Sequence, residues 1–227
     1  MNSSHATSTA ARQITQRRAT TITSIAVDAI EDMIISGELV AGDRINESTL
    51  ADRLGISRGP IREACRSLEQ AGLLTSKTNR GMYVREVSLH EARELYEVRG
   101  AIAALAGELI VKRATDVEIH ALIQLVERMQ QAADDENAAE YYKLNLQFHD
   151  LLVHTAKNTA LEETYHKIVN QLHLLRRRGL VQDGNLQVSN AEHFEIVNAL
   201  EKRDSVKSAN ALRTHVCNGL TRMIASL

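Results

Sequence analysis

The stretch Leu50-Ala51-Asp52-Arg53-Leu54-Gly55-Ile56-Ser57-Arg58-Gly59-Pro60-Ile61-Arg62-Glu63-Ala64-Cys65-Arg66-Ser67-Leu68-Glu69-Gln70-Ala71-Gly72-Leu73 decides how the N-terminal part of this chain folds. Leu54-Gly55-Ile56-Ser57 carries the glycine and the aliphatic residue that let two helices cross closely. Ser57 is a good N-cap for the second of them. Pro60 falls in its first turn, where a missing N–H costs little. Ile61, Ala64, Cys65 and Leu68 then form an apolar stripe at helical spacing, and Gly72 stops the helix.

Working outward, Ile22, Ile25, Ala26, Ala29, Ile30 and Met33 predict a first helix from Ile22 to Ser36, ended by Gly37. A second covers Ser48 to Leu54. Beyond Gly72, Leu73-Leu74-Thr75 and Met82-Tyr83-Val84 read as two short strands around a Lys77–Gly81 turn. Helix, helix, tight turn, helix, hairpin is the order of a winged helix-turn-helix, which places its third helix N-terminus first in the major groove. Arg58 and Arg62 lie four apart near the start of that helix and can reach guanine edges or phosphates. Arg80 at the wing tip suits a phosphate or minor-groove contact. Between Arg53 and Arg85 seven bases face only two acids, Glu63 and Glu69. Such polarity suits a polyanion partner; on charge alone, a solvated face reads equally well.

Composition agrees with a helical chain. Its 227 residues contain one Pro, no Trp and 3% aromatics, with 27 Lys+Arg against 29 Asp+Glu. β-rich domains use more turn formers and aromatics. The two cysteines, Cys65 and Cys217, exclude a disulfide scaffold or a cysteine-only metal site and fit a reducing compartment. The most apolar run, Ala101 to Val111, carries Glu108 and falls short of the ~20 residues of a membrane span. The start has no apolar signal core, so a cytoplasmic location with no membrane partner is expected. Residues 1–20 are polar with three arginines and read as a flexible arm, 21–87 as the winged helix-turn-helix, and 88–227 as a helical domain.

In that second domain Ser88-Leu89-His90-Glu91, Thr115-Asp116-Val117-Glu118 and Ser189-Asn190-Ala191-Glu192 have the capping-box pattern, each ahead of an amphipathic run. Further helices are expected over 137–156, 159–177 and 205–224, with Gly179 to Gln187 as a long non-helical link. Six helices with no strand pattern make an antiparallel bundle. Of nine histidines, His149 shares a helix face with Asn145, four residues earlier. His193 is expected in the first turn of its helix and His215 inside the last. Bundles build metal sites from inward side chains on several helices, and imidazoles suit transition metals; surface or core histidines are the plainer reading. Glu192 and Glu195 flank His193 but are expected on other faces. His90, His120, His154, His166 and His173 read as surface or packing residues. Arg176-Arg177-Arg178 reads as a solvated helix end, or else as a DNA or dimer contact.

The run from Gly37 to Leu73 resembles the DNA-binding domain of the GntR superfamily of transcriptional regulators. The helical part resembles the FCD ligand-binding domain of its FadR-type branch. The resemblance covers about residues 22–224. It implies a homodimeric bacterial repressor on pseudo-palindromic double-stranded operator DNA. Ser57, Arg58 and Arg62, with Arg80 and Gly81 in the wing, would touch that DNA; Gly59 stands where the family often has a hydroxyl residue. The resemblance further implies a divalent transition metal, Zn or Ni, on Asn145, His149, His193 and His215, with Asn145 where many relatives have Asp. Arg99 would help hold a small organic acid or other anionic effector; a surface ion pair is the alternative for that residue. A metal-dependent enzyme using the His cluster is the competing function, but the chain lacks His-Glu-x-x-His, a phosphate loop and a Gly-x-Ser-x-Gly elbow.

Overall fold

The structure is a computed structural model that describes residues 21–181 and 185–225, with the side chains of 173–181 and 185 outside that description. The expected arm, His173 and the Arg176–Arg178 side chains therefore lie outside the described residues. The chain divides between Glu86 and Val87 into two compact units.

In the first unit, α1 covers 21–36, α2 Glu47–Leu54 and α3 Arg58–Gln70. Strands β1 (Leu74–Lys77) and β2 (Gly81–Val84) pair antiparallel, Leu74 opposite Val84 and Lys77 opposite Gly81. Asn46 caps α2, its side chain accepting from the Ser48 and Thr49 N–H groups. Gly55 ends α2 in the left-handed conformation (φ 66°), which a Cβ would disfavour. Buried Ile30, Ile34, Ile61, Leu68 and Leu74 form the core under these elements. Beside the wing, Arg44 forms an isolated antiparallel bridge with Tyr83 that the sequence reading did not anticipate. Ile45 N–H donates to Met82 C=O at 2.9 Å, and Val84 N–H to Asp43 C=O at 2.8 Å. A single bridged residue is too short for any periodic signal.

The second unit holds α4 (Leu89–Arg113), α5 (Asp116–Asp134), α6 (Ala138–Thr155), α7 (Thr159–Val181), α8 (Asn185–Glu201) and α9 (Ser205–Ala225). Ser88 caps α4, and Thr115 caps α5 with the full reciprocal capping box to Glu118. Helix α4 packs along α9, and α5 packs against α6 and α8. The core runs through Tyr96, Ile110, Leu122, Met129, Phe148, Leu152, Leu172, Ile196 and Leu212.

Two expectations are corrected. Gly179 to Gln187 is not a long link: α7 continues to Val181 and α8 begins at Asn185. A lone helical glycine costs only ~1 kcal/mol, and no proline follows to enforce a stop. The pattern Ser189-Asn190-Ala191-Glu192 is not a helix start but lies inside α8. Ser189 and Asn190 belong to a buried face with Leu186 and His193, at helical spacing. His193 accordingly sits in the third turn of its helix, not the first.

Candidate metal centre and nucleic-acid interface

Helices α6, α8 and α9 each aim one imidazole at the same point in the bundle core. His149, His193 and His215 are all buried, at 4%, 0% and 5% exposure, and their ring nitrogens lie within 4.8 Å of one another. The contacts are made by matching atoms: His149 Nε2 is 3.4 Å from His193 Nε2 and 3.3 Å from His215 Nε2. Two N–H groups cannot face each other across such a gap, so at most one nitrogen of each pair carries a proton. Phe148, fully buried, stands edge-on to the His149 and His193 rings.

The donor set fits a transition metal. Tetrahedral coordination with metal–nitrogen bonds of ~2.0–2.1 Å places neighbouring donors about 3.3–3.4 Å apart, matching both contacts. Asn145 lies one turn before His149 on α6 and is buried, with its Nδ2 making no hydrogen bond among the described residues. Arg99 is 3% exposed on α4, so the surface ion-pair reading does not hold. Its guanidinium lies 5.3 Å from the centre of the Tyr96 ring, and its charge disfavours the cationic form of His215.

Sequence reasoning missed the support behind His215. Glu192 does not point away: its Oε2 accepts from His215 Nδ1 at 2.7 Å. Arg222 holds the same carboxylate with both terminal nitrogens, at 2.7 and 2.8 Å, and Asn218 Nδ2 donates to it at 2.8 Å. Burial alone would raise the Glu192 carboxyl; the Arg222, His215 and Asn218 hydrogen bonds outweigh it and hold it at about 2. His215 is pushed down, first by burial, against the raising effect of Glu192. The one available signal was the spacing of His215, Asn218 and Arg222 on one face of α9, opposite a helix whose rotation the sequence does not state. Glu195 is exposed.

In the first unit Ser57, Arg58 and Arg62 are exposed at the start of α3. Ser57 takes the N-cap backbone conformation, but its hydroxyl makes no cap bond. Arg62 Nε pairs with Glu47 at 3.2 Å on α2. Arg80 and Gly81 are exposed at the turn between β1 and β2, where Asn79 and Gly81 have φ of 59° and 99°. Arg53 pairs with Glu38.

A winged helix-turn-helix unit and a helical bundle with an inward histidine cluster define a class of transcriptional regulator. Comparison specifies it. Residues 23–84 match the family described as bacterial regulatory proteins, gntR family, and residues 94–218 match the FCD domain. The uncharacterized HTH-type transcriptional regulator YdhC of Bacillus subtilis strain 168 is 31% identical over 188 residues, 82% of each chain. The HTH-type transcriptional repressor RspR of Escherichia coli K12 is 24% identical over 178 residues, 78% of each. The solved structure of E. coli McbR/YncC superposes with a TM-score of 0.78 at 20% identity, over 90% of this chain and 97% of that one. The chain belongs to the GntR family, with an FCD domain, and is a transcriptional regulator rather than an enzyme. No helix among the described residues is long and apolar enough to cross a membrane.

Proposed function

We propose that this chain is a repressor whose grip on a pseudo-palindromic operator is controlled by a small anionic metabolite bound at a metal-containing pocket in the bundle. The observation that carries the reading is the convergence of three buried histidines in an FCD domain, with the His149 Nε2 at metal-ligand spacing from the Nε2 of His193 and of His215. His149, His193 and His215 hold a divalent transition metal, Zn or Ni, with the Asn145 amide oxygen as a fourth, neutral ligand. Bound there, the metal would supply a Lewis-acidic positive centre, and an exogenous ligand would enter by expansion to five-coordination or by displacing the neutral Asn145 amide. All four protein donors are uncharged, and Glu192 is already matched by Arg222, so the metal charge has no anionic ligand from the protein. Arg99, buried on α4, adds a planar fork suited to a carboxylate. Together these favour an anion as that exogenous ligand.

DNA reading falls to residues 21–87. Ser57, Arg58 and Arg62 open α3, and Arg80 and Gly81 form the wing tip. Two copies of the chain match two half-sites, since a two-fold protein reads two-fold DNA. Support for self-association comes from α4, where Val98 and Leu105 are exposed and Ile102 and Leu109 half-buried along one apolar stripe. An effector that binds one arrangement of the dimer more tightly shifts the population, and so the operator affinity. Repression is supported by the name of RspR.

Elemental analysis of the purified protein and of His193→Ala tests the metal: about one equivalent per chain is expected in the first and little in the second, and equal content in both refutes the assignment. Gel shifts on fragments selected from genomic DNA, with and without organic acids, test the rest. No bound fragment in such a selection removes the regulatory reading.

A further inference from the structure

Three imidazoles that meet through like atoms need something to hold them in that orientation, because each ring can flip or change tautomer. His215 has its outer nitrogen attached to a charged group that is itself held from three sides. Its Nδ1 faces Glu192 Oε2 at 2.7 Å, while Arg222 and Asn218 occupy the remaining lone pairs of that carboxylate. Arg222 and Glu192 are nearly buried, with side-chain exposures of 11% and 16%. The consequence is directional. An ionised carboxylate only accepts, so Nδ1 must carry the proton, and Nε2 is left bare toward His149 and His193.

We propose that Glu192 is the positioning residue of the metal centre, with Arg222 and Asn218 as its clamp: it selects the His215 tautomer whose Nε2 binds the ion. This rests on the reading of the cluster as a metal site. Both residues of the clamp, Asn218 and Arg222, lie on α9 with His215, three and seven residues after it, and Glu192 reaches all three from α8. The site therefore also ties α8 to α9 through a charged bond. Carboxylate partners of metal-bound histidines raise ligand basicity and fix ring orientation, and their loss weakens metal binding about 10–100-fold.

The test uses the full chain and metal alone. Zn²⁺ affinity is measured by competition with a chromophoric chelator, and the visible spectrum of bound Co²⁺ reports ligand geometry. Glu192→Gln keeps the size of the side chain but makes it neutral and able to donate. It is expected to bind Zn²⁺ at least about tenfold more weakly, with an altered Co²⁺ spectrum. In Glu192→Gln/Arg222→Met both charges are gone, so any loss caused merely by an unbalanced arginine is relieved. The double variant is expected to stay at least about tenfold weak, because the charged, accept-only partner that fixes the His215 tautomer is still missing. Wild-type affinity in Glu192→Gln overturns the proposal, as does full recovery in the double variant. Absence of Zn²⁺ binding by the wild-type chain overturns the underlying metal reading as well, so the two failures are distinguishable. Circular dichroism confirms folding of each variant; should one not fold, the other carries the comparison.

Discussion

Gly107, near the C-terminal end of α4, sits where that helix crosses α9. A Cβ added there would lie 2.8 Å from Leu212 Cδ1 and 3.1 Å from both the carbonyl carbon and oxygen of Ser208. Leu212 is itself buried, at 1% exposure, so its methyl has little room to retreat, and the Ser208 backbone cannot move without α9. Gly100, two turns earlier on the same helix, is the natural control. Its added Cβ would meet Val216 Cγ1 at 3.8 Å and Arg213 at 3.9 Å, ordinary contact distances. Both alanine substitutions gain up to ~1 kcal/mol from helix propensity. Only Gly107→Ala also incurs overpacking, of ~1–3 kcal/mol. The two variants should therefore differ by ~1–3 kcal/mol, Gly100→Ala being equal to or more stable than the wild type and Gly107→Ala less. At 2–4 °C per kcal/mol for a unit of this size, thermal unfolding of the metal-free protein should separate them by roughly 2–12 °C. Because His215 follows Leu212 by one turn on α9, Gly107→Ala should also weaken Zn²⁺ binding while Gly100→Ala does not. Equal melting temperatures for the two variants would refute the close-crossing argument.

Arg62→Ala should reduce affinity for a selected operator by ~1–3 kcal/mol if it reads a guanine, with relaxed specificity at one position per half-site; unchanged binding in a titration across salt concentrations counts against its role. Leu105→Glu places a charge in the exposed stripe of α4 and should shift the chain toward monomer in sedimentation velocity, with loss of operator binding; an undisturbed oligomer rules that face out. The Glu118 carboxyl is held at about 2 by the Thr115 N–H, Lys157 and the Thr115 hydroxyl. Its folded value is depressed, so its contribution is present above the ordinary carboxyl range and is lost as pH falls from about 4.5 toward 2. Urea unfolding of Glu118→Gln should accordingly show a shallower loss of stability over that interval than the wild type, and parallel curves would contradict the assignment.

Local chemistry made the head legible. Gly55, Ser57, Pro60 and the stripe from Ile61 to Leu68 each act within one or two turns, so their spacing alone dictates a helix, a turn and another helix. The same holds for Ser88 and Thr115, whose capping partners lie three residues away. Asn145 and His149 could be placed on one face because four residues make one turn. Where the determining contact is distant in sequence, the reading ran out or erred. Ser189 to Glu192 satisfied a capping pattern yet lies within α8, since a helix interior and a helix start can share those letters and only packing against α5 separates them. Arg44 bridges to Tyr83 because β2 offered it an edge.

The metal centre divides along the same line. That three histidines on three helices could meet was a matter of composition and family resemblance; that they meet through Nε2, at 3.3 and 3.4 Å, depends on the rotation of α6, α8 and α9 about their axes. Helix periodicity states which residues share a face, not the direction in which that face is turned. The burial of Arg99 and the carboxylate clamp of Glu192 by Arg222 follow from those rotations alone, which packing of the whole bundle sets and no short stretch of sequence encodes.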